Sequence, residues 1–208
     1  MVRIEDVDTP RIEAGMVDSI LTSLIAHGLI WDDKVTFQSK RSSHYQEYLD
    51  KLQKAQLLYG CACTRQQIRA RSKTYDGYCR KLGLSYENRA IRFVHTNDNS
   101  KFIDLRSGPC FIEHEIAKED PVLKRADGIY AYHLAVVADD IEQKVTHIVR
   151  GIDLLETTPV HLSLYQAFNE SIPEYLHIPV LAQKPNEKLS KQNHAPAINN
   201  EDASGNIK

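Results

Sequence analysis

The 208-residue chain is 42% hydrophobic and 26% charged, with a formal net charge of −2. That composition fits a folded protein of one large or two small domains with ample chain for a core. The opening MVRIEDVDTP sets acids where a secretory leader needs an apolar run, and no apolar stretch approaches the roughly 20 residues of a membrane helix. Neither a secreted nor a membrane-spanning protein is expected, and the cytoplasm is the default compartment.

In chain order, residues 12–29 place Ile12, Met16, Ile20, Leu21, Leu24, Ile25 and Leu29 at helical spacing, with Gly28 near the stop. Ser43 with Gln46 reads as a capping box opening a second helix, whose apolar stripe includes Tyr45, Tyr48, Leu49, Leu52 and Leu58. Thr64 with Gln67 repeats the box and predicts a short helix. The texture then turns to β. Ala90–His95 and Pro109–Glu115 are strand-like, and Val122–Arg125 leads through Asp127-Gly128 into Tyr130–Ala138 as a hairpin. Val145–Arg150 is a further β-rich run. Thr158-Pro159 starts a helix, with Thr as cap and Pro in the first turn. Pro173 and Pro179 bracket an extended piece ending at Val180-Leu181, and residues 193–208 form a polar tail. The alternation predicts an α/β fold. Neither G-x-x-x-x-G-K-[ST] nor G-x-G-x-x-G is present, so a bound nucleotide needs another route.

Four constellations carry chemistry. Cys61, Cys63 and Cys79 fall within 19 residues. In a reducing compartment such clustering points to metal before disulfide, and Zn²⁺ wants a fourth ligand, with Tyr75, Asp76, His44 or water as candidates. Three buried thiols acting as small hydrophobes are the plainer alternative, and Cys110 stands apart as such a thiol. R-I-E-D at 3–6 can set a carboxylate at a sheet lip, where Glu5 could receive an ammonium group. An exposed acidic strand end, or a helix-start cluster with Asp8 and Thr9, is the plainer reading. K-L-S-K-Q at 188–192 offers two lysines, three apart, to a triphosphate. Tyr130 and Tyr132 fall on one face of the expected strand, and Arg150 ends the next one just before Gly151. An Arg there can pair bidentately with a carboxylate, or simply with Asp153. Between residues 41 and 81, nine Lys/Arg face three acids, a local +6 that suits a phosphate backbone or a solvated basic face.

Taken together, five ordered blocks resemble the glutamyl-queuosine tRNA(Asp) synthetase family, a shortened branch of the class I glutamyl-tRNA synthetases. They are R-I-E-D-V-D-T-P-R, Y-G-C-A-C-T-R with Y-D-G-Y-C-R, V-L-K-R-A-D-G-I-Y-A-Y-H-L-A-V-V-A-D-D, V-T-H-I-V-R-G-I-D-L-L and K-L-S-K-Q-N-H-A-P-A, spread over residues 2–197. The resemblance implies a class I Rossmann-like catalytic domain lacking its first strand and helix, which carry the HIGH-like motif, and bearing a zinc insertion. It implies domains at 1–57 (first half of the catalytic domain), 58–120 (zinc insertion and connecting β region), 121–193 (second half) and 194–208 (tail). Glu5, Tyr132 and Arg150 would bind glutamate. Lys191 would contact ATP, with Mg²⁺, and stabilise charge on the transferring phosphate. Cys61, Cys63, Tyr75 and Cys79 would hold Zn²⁺. The implied reaction is formation of glutamyl-adenylate, then transfer to queuosine at the wobble position in the anticodon region of tRNA(Asp), by a monomer. An inactive remnant keeping a zinc-bound tRNA-binding module is the alternative.

Overall fold

In the computed structural model the described residues are 1–95, 97–184, 187–188 and 198–206. The chain divides into two units, Met1–Arg41 with Val180–Lys208, and Ser42–Pro179. In the first unit, β1 (Arg3–Ile4) pairs in parallel with β2 (Thr36–Phe37), and α1 (Met16–Ala26) lies between them in sequence. Gly15 and Gly28 bracket α1 at φ values of 79° and 73°, a region where only glycine sits without strain. The expected helix is therefore present but shorter than its apolar repeat. Asp6 ties the unit together, since its carboxylate accepts from Ser39 N (2.8 Å) and Ser39 Oγ (2.6 Å).

The second unit holds the core. α2 (Ser42–Lys54), α5 (Tyr132–Glu142) and α6 (Thr158–Phe168) pack on one another, burying Tyr45, Leu49 and Leu52 of α2 with Leu134 and Val137 of α5 and Leu164 and Tyr165 of α6. Two successive aspartates of α5 are buried in this packing. Asp139 accepts from the Tyr45 hydroxyl (3.0 Å) and Asp140 from the Tyr165 hydroxyl (3.3 Å), so each carboxylate meets a phenol from a different neighbouring helix.

Two sheets flank these helices in sequence. β3 (Leu58–Cys61), β4 (Ala90–Phe93) and β7 (Val122–Lys124) form an antiparallel sheet in the order β3-β4-β7, with Leu58 opposite Phe93 and Cys61 opposite Ala90. Between β3 and β4 the chain forms α3 (Arg65–Arg71), opened by the anticipated Thr64–Gln67 box with both bonds made. Gly60 runs against the Leu84–Ser85 backbone, where a Cβ would sit 2.5 Å from Ser85 O and 2.8 Å from Leu84 O. Gly60→Ala is accordingly expected to destabilise the chain by about 1–3 kcal/mol, read from the urea midpoint. An unchanged midpoint would mean that the two backbones separate freely.

The second sheet has the order β6-β5-β9-β8, from β5 (Lys101–Asp104), β6 (Gly108–Phe111), β8 (His147–Gly151) and β9 (Glu174–Ile178). β5 and β6 are a hairpin, whereas β8 and β9 run parallel with α6 as their crossover. α4 (His114–Ala117), β10 (Ala182–Lys184), β11 (Glu187–Lys188) and α7 (Ala203–Asn206) are short additions. No helix among the described residues is long and apolar enough to cross a membrane.

Several expectations need correction. Tyr130–Ala138 is not a strand. Gly128 makes the turn (φ 87°), but pairing stops at a single bridge, Lys124 to Tyr130, and α5 begins at Tyr132. Tyr130 and Tyr132 thus do not share a strand face. Every residue from Leu134 to Asp140 is buried, so the run has no polar side to reveal its 3.6-residue period. The Ser43–Gln46 box does not form: α2 starts at Ser42, and the Gln46 side-chain Oε1 accepts from Tyr130 (2.7 Å) and Lys124 (3.0 Å). Thr158 lies inside α6, one residue past the cap, and its hydroxyl accepts from Arg150. Pro109–Glu115 divides into β6 and α4, and β5 had no clear alternation to announce it.

Candidate active site and metal centre

Arg150 sits at the carboxyl end of β8, where parallel strands of α/β sheets present ligand-binding groups. Its register partner on β9 is His177, which puts both side chains on one face. Arg150 Nε donates to His177 Nε2 (3.0 Å) and Nη1 to His161 Nδ1 (3.0 Å). Nη2 donates to Thr158 Oγ1 (2.8 Å) and to Leu154 O (3.2 Å). The guanidinium also lies over the Tyr175 ring at 5.0 Å. Four of its five N–H groups are thereby engaged, all by acceptors without formal charge, and Asp153 is not among them. Tyr132 opens α5 beside this group, with its ring 5.8 Å from that of His161.

Asp104 stands behind His177. It is buried and accepts four hydrogen bonds: Arg106 N (3.0 Å) and Ser107 N (2.8 Å) at Oδ1, His177 N (2.9 Å) and His177 Nδ1 (2.8 Å) at Oδ2. Burial pushes its carboxyl up, but the bonds from His177, Ser107 and Arg106 outweigh burial and hold it at about 2. On the other side His161 lies 3.1 Å from His133 Nδ1 through its Nε2. Burial holds the His161 imidazole well below its ordinary value, with His133 and Arg150 adding to the effect. Burial likewise lowers His133, to about 4, helped by Arg150. His95 is lowered to about 4 by burial, against the opposing pull of Asp120.

These shifts fix the acid response. Folded pKa values below the ordinary 6.5 mean that the unfolded chain binds more protons from about pH 6.5 down to about 4. Stability is then full above that window and lost as pH falls through it. Asp104 extends the loss, from its ordinary 3.8 down to about 2. Urea midpoints are expected to fall steadily from about pH 7 to about pH 4, and a flat profile would contradict buried neutral imidazoles.

Glu5 lies in the first unit, exposed, with Arg3 Nη2 donating to its Oε1 at 3.3 Å. Lys191 and most of the K-L-S-K-Q segment lie outside the described residues. Asp104, His161 and His177 are functional candidates that the sequence reading missed. The only available signal was the pairing of buried histidines with strand and helix ends, which a single sequence does not display.

The cysteines converge. Cys61 ends β3, Cys63 precedes the Thr64 cap, and Cys79 lies in the helical turn Tyr78–Lys81. Their sulfurs all lie within 4.8 Å of one another, with Cys63 and Cys79 at 3.4 Å, close to the sulfur–sulfur edge of about 3.8 Å that Zn–S bonds of about 2.3 Å require. The Tyr75 hydroxyl is 3.5 Å from Cys61 Sγ and accepts from Cys79 N (2.9 Å). Burial raises the Cys61 thiol, but Tyr75, the Cys63 backbone and Arg92 outweigh it, and the net displacement is downward. Arg71 Nη2 points at Cys63 Sγ (3.3 Å), and Arg92 covers the Tyr75 ring at 3.7 Å. Of the other fourth-ligand candidates, Asp76 is engaged by Arg71 (2.7 Å), and His44 belongs to a separate group with Asp139 and Glu142. This donor set suits a thiophilic cation.

Residues 1–206 match the family model of the class I tRNA synthetases for glutamate and glutamine, catalytic domain. The Glutamyl-Q tRNA(Asp) synthetase of Idiomarina loihiensis is 49% identical over 207 residues, covering 100% of this chain and 73% of its own. The chain belongs to the glutamyl-Q tRNA(Asp) synthetase family. The Klebsiella pneumoniae relative of the same name is 47% identical over 95% of this chain and 67% of its own length, and that of Shewanella oneidensis is 45% identical over 95% and 66%. The fold agrees. A crystal structure of a glutamate tRNA ligase from Elizabethkingia meningosepticum in complex with its amino acid superposes with a TM-score of 0.76 at 26% identity, over 92% of this chain and 45% of that one. This chain thus spans two thirds to three quarters of these family members and under half of the larger ligase. The family's enzymes are class I ligases, for which ATP use is expected.

Proposed function

We propose that this chain carries the glutamate-activating centre of a glutamyl-Q tRNA(Asp) synthetase. ATP and L-glutamate would give glutamyl-adenylate and pyrophosphate, and the glutamyl group would then pass to queuosine at the wobble position in the anticodon region of tRNA(Asp). The observation that carries this reading is Arg150, a cation surrounded by neutral acceptors at the carboxyl edge of a parallel strand pair. Its remaining Nη1 hydrogen and its charge suit a substrate side-chain carboxylate. Tyr132 would line the same pocket and Glu5 would receive the substrate ammonium. Lys191 would neutralise charge developing on the ATP phosphates, with Mg²⁺. Glutamate-dependent ATP–pyrophosphate exchange by the purified chain tests the reading, with glutamine as control. Exchange absent at every glutamate concentration would remove it. Salt-sensitive tRNA binding without exchange would instead favour a tRNA-binding module, for which the exposed Arg65 and Arg69 of α3 supply a basic face.

Cys61, Cys63, Tyr75 and Cys79 fit Zn²⁺ by donor type and spacing, and we assign them that role. Bound zinc would supply a structural cross-link between β3 and the Tyr78–Lys81 turn, with no part in bond making. Arg71 and Arg92 would offset the accumulated thiolate charge. Metal analysis of the purified protein is expected to return about one equivalent of zinc, and less than about half would count against the site. A cytoplasmic monomer completes the proposal.

A further inference from the structure

We infer that His161 and His177 are positioning residues that hold Arg150 in one orientation by locking opposite imidazole tautomers. The inference rests on the glutamate reading for its functional consequence, but its geometry stands alone. Arginine can only donate, so both imidazole nitrogens facing Arg150 must be bare lone pairs. For His177 that nitrogen is Nε2, and its proton is then on Nδ1, directed at Asp104 Oδ2 2.8 Å away. For His161 the bare nitrogen is Nδ1, and the proton is on Nε2, directed at His133 Nδ1 3.1 Å away. His133 must accept there and so carries its own proton on Nε2.

The result is a directed chain in which Arg150 donates outward on both sides. Asp104 cannot reverse its end, because a carboxylate that accepts from the three backbone N–H groups of Arg106, Ser107 and His177 has no proton to give. The His161 ring is buried and the His177 ring fully so, between Phe102 (centroids 6.4 Å) and a stacked Tyr175 (6.0 Å, 7°). Neither imidazole has room to flip without losing its second bond. A carboxylate as direct partner would have anchored Arg150 as firmly but would also have cancelled its charge. Two neutral imidazoles anchor it and leave the charge for a ligand.

The test uses the full chain, uniformly ¹⁵N-labelled, in two arms. Long-range ¹⁵N–¹H correlation spectra are expected to show His177 as the Nδ1–H tautomer and His161 as the Nε2–H tautomer. Mixed or reversed tautomers at either ring would overturn the positioning role. Calorimetric titration with L-glutamate forms the second arm. His161→Leu, which removes the acceptor, is expected to weaken binding about tenfold or more. His161→Asn places a carbonyl oxygen where Nδ1 was and is expected to stay within about threefold of the parent. Equal losses in the two variants, at matched thermal midpoints, would overturn the role. Absence of glutamate binding by the parent chain would remove the proposed function and its specificity role together, while the spectra would still decide whether the tautomers are locked.

Discussion

Asp120→Ala is expected to destabilise the chain by about 2–5 kcal/mol, the largest loss from any single substitution considered. The carboxylate is 1% exposed and gathers partners from three places in the second unit. Arg80 approaches it through Nε (2.9 Å) and Nη2 (2.6 Å), the Tyr59 hydroxyl of β3 donates at 2.6 Å, and His95 N just past β4 donates at 3.0 Å. The Asp120 backbone carbonyl also accepts from Arg92. Alanine would leave a guanidinium, a buried phenol and a backbone N–H without their acceptor at once. The phenol and the N–H are buried and lose their acceptor outright, whereas Arg80, 41% exposed, turns to water. Urea denaturation of parent and variant measures it. A loss below about 1 kcal/mol would mean that water replaces the carboxylate.

Arg150→Ala is expected to lower glutamate-dependent kcat/KM in ATP–pyrophosphate exchange by roughly two to three orders of magnitude, mainly through KM for glutamate. The reason is double. The substrate carboxylate would lose the cation proposed to bind it, and His177 Nε2, His161 Nδ1 and the Thr158 hydroxyl would be left facing an empty volume. Arg150→Lys should recover little, because one ammonium on a flexible stem cannot satisfy four acceptors arranged around a planar fork. KM for ATP should move less than about threefold, since the change is confined to the amino-acid side. A uniform fall in kcat at constant glutamate KM would contradict the assignment.

Local chemistry in the sequence was a good guide where it acts through neighbours in the chain. The Thr64–Gln67 box, the Gly128 turn and the clustering of Cys61, Cys63 and Cys79 are all present as expected. The limits came where tertiary partners decide. Tyr130–Ala138 reads as β because its aromatic, β-branched and apolar residues run without a polar face, and only burial of every residue from Leu134 to Asp140 explains a helix there. Gln46 was expected to close a cap and instead serves Tyr130 and Lys124, more than 75 positions away. The residues surrounding Arg150 were invisible for the same reason. Asp104, Thr158, His161 and His177 come from three elements, β5, α6 and β9, and no spacing rule links them. The place of Arg150 at a strand end was legible because a β-rich run followed by glycine is a local pattern.

The adjacent aspartates of α5 carry a consequence for how this unit opens. Tyr45 of α2 grips one and Tyr165 of α6 the other, at the same level of the same helix. Withdrawing any one of the three helices breaks at least one of these two buried hydrogen bonds, so none can peel away cheaply on its own. Backbone amides in all three should therefore exchange with deuterium at a common free energy, through one concerted opening, with no gradient from outer helix to inner.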